Sequence, residues 1–448
     1  MRHALFLIAL CFPFLALGQG VFQLRSGKPL TFKFELINNV VLVPITINGV
    51  AFSFLLDTGV KETILFANNR DSLYLHNQNK IRFQGIGSEG GIDGILSTEN
   101  IVEIDDVAVD SLHSIYVIQA DDLDISSDVG VAINGILGSH FFHSFPVKVD
   151  YIKKRLTLYP SGYDYSGEVR KYENTQIEIE RHRPYIEAEL LFRDKWLTSK
   201  MLVDMGNTDA AMVFPFRIEQ FEVREPYVEE YIGRGFSGVI HGKRNRIKKV
   251  AIEDFEIDYP IIAYPDSSAV FERKLAKNRV GSIGSQILQR FHLLIDYQQQ
   301  LLFLRKNKNF NKPFVLNMAG LDIKHDGMEW SKELVRIKQS RSDDPMQPQN
   351  KGVTINFDNH NVQYKFVLKP IYRVSGIRKA SPAEKAGVRV GDLLVSINGR
   401  SISGLTLQRV MQRLQSKPGD HVKLILERQG ELIEVRFQLV DPIPYRES

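Results

Sequence analysis

The sequence predicts a mainly β protein made of two copies of one lobe, followed by a smaller module with a different pattern. Three observations support this. A repeat at near-constant offset covers most of residues 20 to 310, each copy contains hairpin-like pairs of apolar strands, and short helical signals enter only late in the chain. At 448 residues the chain exceeds one ordinary core, so two or three domains are expected. Composition is that of a globular protein, with 43% hydrophobic and 25% charged residues and no biased tract. A net charge of +4, dispersed along the chain, gives no argument for a nucleic-acid or membrane partner. The densest basic run, Lys243 to Lys249, is interrupted by Asn245 and Ile247 and reads as a solvated hairpin.

The N-terminus has the layout of a secretory signal peptide over residues 1–19. Arg2 and His3 precede an apolar run from Ala4 to Leu17, with the small-residue exit Ala16-Leu17-Gly18-Gln19. The run is short for a membrane span. Cys11, the only cysteine, lies inside it, and the preceding Leu10 is not the small residue of a lipoprotein cleavage site. Simple export to a periplasmic or extracellular location is therefore expected, and a mature chain without thiols cannot use disulfides, thiol nucleophiles or thiolate metal sites.

The two lobes are read as residues 20–160 and 161–310. Gly135-Ile136-Leu137-Gly138-Ser139 leads through Phe145 to Asp150-Tyr151, Leu156 and Leu158, and each of the anchoring positions recurs 146 residues later, from Gly281 to Leu304. Upstream, Leu55-Leu56-Asp57-Thr58-Gly59 answers to Leu202-Val203-Asp204-Met205-Gly206 at an offset of 147. Such a period is domain-sized. Val43 to Ile47 and Val50 to Leu56 flank Asn48-Gly49, which suits a type I′ hairpin turn. Tyr185 to Phe192 and Trp196 to Val203 flank Arg193-Asp194-Lys195 in the same manner. Asp150 and Asp296 each close a strand and read as turn residues. His140 and His143 lack the spacing and acidic partner of a metalloprotease helix.

Asp57 and Asp204 each follow an apolar strand and begin a turn. Two carboxylates held against each other cannot both ionise easily, so they share a proton and titrate as a unit. One then takes a proton from a bound water while the other donates to the carbonyl under attack, with no metal or other cofactor required. The glycine after each acid, Gly59 or Gly206, lets the two loops approach closely.

Phe54-Leu55-Leu56-Asp57-Thr58-Gly59, with Gly135-Ile136-Leu137-Gly138 downstream, resembles the pepsin-like and retropepsin-like aspartic peptidases. With the module that follows, the chain resembles exported bacterial aspartyl peptidase–PDZ proteins over residues 35–160, 180–307 and 315–440. The resemblance implies a two-lobed acid-protease β-barrel fold, Asp57 and Asp204 as the catalytic dyad, and polypeptide substrates. It implies that Thr58 bonds across to the opposite loop and that Gly85, Gly87 and Gly235 lie near hairpins bordering the substrate cleft. It departs from the pattern at Met205, where a hydroxyl residue is expected, and at Asn207, where a small one is. Two readings follow: an active endopeptidase, or a catalytically silent relative that binds peptides. One chain supplies both halves, so a monomer is expected.

The third module is read as residues 311–442. Ser381-Pro382-Ala383-Glu384 is a capping box with proline at the first helical position, and Gly387 closes the helix. Leu393 to Ile397 is a strand ended by Asn398-Gly399, and Leu407, Val410 and Leu414 share one face of a second helix. The string Ser381 to Gly399 closely resembles PDZ domains, which add a peptide or protein C-terminus as an extra strand. Gly320 and Leu321, in Met318-Ala319-Gly320-Leu321, are read either as the carboxylate-binding loop or as an ordinary interlobe turn. Ser340 to Lys351 reads as an inserted loop or a flexible link.

Overall fold

A computed structural model of the chain describes residues 20–67, 73–83, 92–119, 125–235, 238–270, 275–335, 353–355 and 363–445. Residues 1–19, Gly85, Gly87 and the segment from Ser340 to Lys351 lie outside them. None of the described helices is long and apolar enough to cross a membrane.

Each lobe is organised around the same three-strand crossing. In the first, Val40–Ile47 and Val50–Leu56 form the expected hairpin around Asn48 and Gly49, both with positive φ (46° and 85°). Gly135–Leu137 then runs parallel to Phe54–Leu56 and antiparallel to Thr63–Ala67. In the second lobe Arg183–Phe192 pairs with Lys195–Val203, while Arg279–Ile283 lies parallel to the end of that strand and antiparallel to Ala211–Val213. The Gly-x-x-Gly-Ser blocks permit this crossing because the chains pass backbone to backbone. A Cβ on Gly138 would lie 2.3 Å from the Glu62 carbonyl, and one on Gly284 2.3 Å from the Asp209 carbonyl.

A separate six-stranded sheet joins the lobes. Val147–Asp150 pairs antiparallel with Phe291–Asp296, so the same strand of each repeat meets its counterpart across the pseudo-twofold axis. The Asp-Tyr turns are structural. Asp150 Oδ1 accepts from the Ile152 and Lys153 amides, and Asp296 Oδ1 from those of Gln298 and Gln299. One apolar core runs through both lobes, including Phe54, Leu56, Leu137, Phe142, Met201, Val203, Ile283 and Phe291.

The third module has its own core, with Leu321, Ile323, Leu394, Ile397, Val410, Leu414, Leu424 and Leu426. Leu321–Val335 pairs with Gln363–Ile377, and the sheet continues through Leu393–Ile397 and His421–Arg428 to Glu431–Gln438. The Ser381 hydroxyl caps Pro382–Lys385, and the Thr406 hydroxyl caps Leu407–Leu414. Leu407, Val410 and Leu414 are all buried.

The module is fastened to the second lobe by charge, which corrects the reading of the basic run as a merely solvated hairpin. Tyr227–Gly235 and Gly238–Arg246 do form a hairpin. Arg244 within it is buried, with Asp209 at 2.9 Å and Glu230 at 2.7 Å, and Arg378 of the third module reaches the other oxygen of Glu230 at 2.9 Å. Arg246 donates to the carbonyls of Phe314 and Ile443, drawing the C-terminal tail onto the lobes. Burying a cation is costly unless it is paired and hydrogen-bonded, and each of these arginines has its partners.

Candidate active site

Asp57 and Asp204 stand at equivalent ends of the two crossings. The Asp57 amide donates to the Leu137 carbonyl at 3.0 Å, and the Asp204 amide to that of Ile283 at 2.9 Å. The turns behind them meet so closely that each carboxyl faces the opposite glycine. A Cβ on Gly59 would lie 2.9 Å from Asp204 Oδ1, and one on Gly206 2.3 Å from Asp57 Oδ2. A side chain at either position would displace the facing carboxyl.

Thr58 ties the loops together. Its fully buried hydroxyl donates to the Val203 carbonyl at 2.6 Å and accepts from the Met205 amide at 3.0 Å. Met205 has no hydroxyl with which to return the bond. Its side chain is fully buried in the core instead, and its carbonyl accepts from Ser285 Oγ at 2.9 Å. Asn207, the other departure, donates its amide to Asp204 Oδ1 at 3.1 Å and its side-chain nitrogen to Ser282 Oγ at 3.1 Å. The loop is thus braced by Ser282, Ser285 and Asn207 where a threonine would have braced it.

The two acids are not electrostatically equivalent. Burial, followed by the Asp204 carboxylate, pushes Asp57 up to about 7, against the pull of the Gly59 amide, Arg183 and the Gly206 amide. Burial also raises Asp204, but Arg279 is foremost among the groups opposing it, with the Asn207 amide, Arg183 and the Gly206 amide behind. Burial thus raises both carboxyls, which share a proton as one coupled pair, with Arg279 acting on Asp204. Arg279 is held by its Nε donating to the Gly281 carbonyl at 3.0 Å, with its guanidinium over the Phe214 ring.

Of the other residues singled out by sequence, Gly235 ends the strand Tyr227–Gly235 and pairs with Gly238 at the hairpin. Gly320 and Leu321 are buried beneath Ser381. The Gly320 amide donates to Asn317 Oδ1 at 3.0 Å, its carbonyl accepts from the Arg378 amide, and Leu321 pairs with Ile377. The Gly320 N–H is thus already engaged within the module. Among the described residues no group of acids and histidines is arranged to hold a metal ion. His113 is instead buried between Asp110 and Thr63, each 2.7 Å from a ring nitrogen.

Sequence reasoning missed Arg183, Arg279 and the Asp209–Arg244 pair. Arg279 and Asp209 sat within a few residues of repeated blocks, but a single arginine or aspartate carries no local signal of burial.

The fold is that of an aspartic-protease-like pair of β lobes whose two carboxyls meet at one junction, with a PDZ domain following on the chain. Residues 43–141 match the family of aspartyl proteases, and residues 373–428 match the PDZ domain family. The chain carries an aspartyl protease domain and a C-terminal PDZ domain. The aspartic proteinase from Irpex lacteus is a structural neighbour at 14% identity and a TM-score of 0.40, over 63% of this chain and 98% of that one. Curated relatives include a probable CtpA-like serine protease of Staphylococcus saprophyticus, 35% identical over 66 residues, which are 15% of this chain and 13% of the relative. The carboxy-terminal processing protease CtpA of Bacillus subtilis is 40% identical over 78 residues, 17% of this chain and 16% of the relative. The chain therefore spans only a small part of the length of these relatives.

Proposed function

We propose that the protein is an aspartic endopeptidase in which Asp57 and Asp204 activate a water against a peptide carbonyl. The reading rests on one observation: each carboxyl lies against the opposite glycine at the junction of two equivalent loops. Asp204, where Arg279 and Arg183 oppose the rise imposed by burial, takes the proton from water. Asp57, protonated up to about 7, donates to the carbonyl oxygen as the tetrahedral centre forms. The proton then returns through the dyad to the leaving amine, with no covalent intermediate. The PDZ domain binds a peptide or protein C-terminus and so recruits substrates or gates the cleft. The N-terminal pattern supports export, and N-terminal sequencing of the protein from fractionated cells tests it.

Incubation of the mature protein and Asp57→Asn with a mixed peptide library between pH 3 and 8, with products identified by mass spectrometry, tests the peptidase. We expect cuts by the native chain and a loss of at least about a hundredfold in the variant, the scale of acid–base catalysis. Retained activity in a folded Asp57→Asn protein would overturn the assignment. A second reading, a silent peptide-binding relative, is favoured by Met205 alone. It predicts silence from both forms and activity only after Met205→Thr.

A further inference from the structure

A PDZ domain receives its peptide along the open edge of one strand, beside its longer helix. Here that strand is Leu321–Val335, terminal in its sheet and paired on one side with Gln363–Ile377, and the helix is Leu407–Leu414. The first lobe packs onto both. Its helix Ile125–Val129 contacts the strand, and the following Gly130 presses on the helix start, where a Cβ on Gly130 would lie 2.6 Å from Leu407 Cβ. Asp128 stands close enough to Asp322, the second residue of the strand, to act on its charge.

The segment is held there from three sides. Asn38 donates to the Val129 carbonyl at 3.0 Å. Asp128 accepts from the Tyr231 hydroxyl at 2.8 Å and faces Arg234 at 3.6 Å, both on the second-lobe hairpin. That hairpin is tied to the PDZ domain through Glu230 and Arg378 at 2.9 Å. First lobe, hairpin and PDZ domain thus close on one another around the start of the peptide-receiving strand.

We propose that residues 125–130 are a built-in cover of the PDZ groove, so that an extended peptide can add to Leu321–Val335 only when this junction opens. Peptide occupancy and the closed junction exclude each other. The inference rests on the peptide-binding half of the proposed function and is independent of whether the dyad is active. Apparent affinity falls by the fraction of time the groove is open. A groove open about one part in ten loses about tenfold. Hydrogen bonds run on from this junction towards the dyad: Glu230 shares Arg244 with Asp209, and Asp209 donates its amide to Asn207 in the Asp204 loop.

The test uses the full mature chain, a double variant Asp128→Ala/Tyr231→Phe that cuts the tie from the first lobe, and Arg378→Gln that cuts it from the PDZ side. Amide hydrogen exchange is followed over residues 125–130 and 321–325. Binding is read by anisotropy with fluorescein-labelled decapeptides ending in Leu, Val, Ala or Phe. We expect faster exchange in both segments in both variants, and peptide affinity higher by about tenfold or more. Unchanged exchange, or peptides bound equally by native and variant chains, would overturn the cover while leaving peptide binding intact. Faster exchange with no peptide bound by any form would instead remove the peptide-binding reading, and the exclusion with it.

Discussion

Met205 decides more about this site than its one-residue departure suggests. Thr58 makes both of its bonds across the axis, to the Val203 carbonyl and the Met205 amide, so the loops are joined from one side only. Met205→Thr should add a bond worth about 1 kcal/mol, roughly fivefold in rate if it tightens the dyad. The same change removes a fully buried side chain from the core, so a lower melting temperature should accompany the faster turnover. Kinetics and calorimetry on one variant separate the two effects. The pH dependence also belongs to single residues. Because folding raises Asp57 from 3.8 to about 7, its contribution to stability is full below its ordinary value and is lost as pH rises through about 7. Activity should fall over the same upper limb, and in Asp57→Asn the melting temperature should vary less between pH 5 and 8.

At the scale of elements, the crossings were legible in the sequence because their glycines are obligatory. Gly135, Gly138, Gly281 and Gly284 recur at a fixed spacing, and a Cβ at any of them would strike a backbone carbonyl. Gly138→Ala should therefore cost about 1–3 kcal/mol of stability, read as a shifted denaturant midpoint. The Asn48-Gly49 hairpin, the capping box at Ser381 and the apolar face of Leu407–Leu414 were legible for the same reason: local backbone chemistry admits few alternatives. The hairpin from Tyr227 to Arg246 was only half legible. Its basic character suggested solvent, yet Arg244 is buried against acids brought from 35 positions upstream and from the facing strand. Tertiary pairing of that kind leaves no periodic trace. Arg244→Ala should be more damaging than its surface-like sequence implies, because Asp209 and Glu230 would be left buried with one fewer cation; breaking such pairs costs about 3–5 kcal/mol.

At the scale of the whole molecule, the lobes and the PDZ domain have separate main cores and meet through charge, with Phe314, Leu316 and Ile443 packed into the core of the lobes. Asp322 lies where they meet. Burial, followed by the Glu230 carboxylate, pushes it up to about 6, with Arg244 and Arg378 opposing and Asp128 adding to the rise. The docked arrangement is accordingly favoured below the ordinary range of an aspartate and weakens as pH rises through about 6. Exchange at residues 125–130 should be slower at pH 5 than at pH 7.5 once corrected for intrinsic rates, and Asp322→Asn should flatten that difference.

The sheet that joins the lobes has a consequence for how the chain is born. Val147–Asp150 is paired on one edge with Arg155–Leu158 of its own lobe, but its other edge is covered only by Phe291–Asp296, so an N-terminal half that has just emerged carries one strand edge with nothing beside it. Open edges are templates for wrong partners, and distant pairings close slowly. A chain delivered from its N-terminus must wait for a whole second lobe to arrive before that edge is safe. A fragment ending at Pro160 is therefore expected to self-associate, whereas the complete chain shields its own seam.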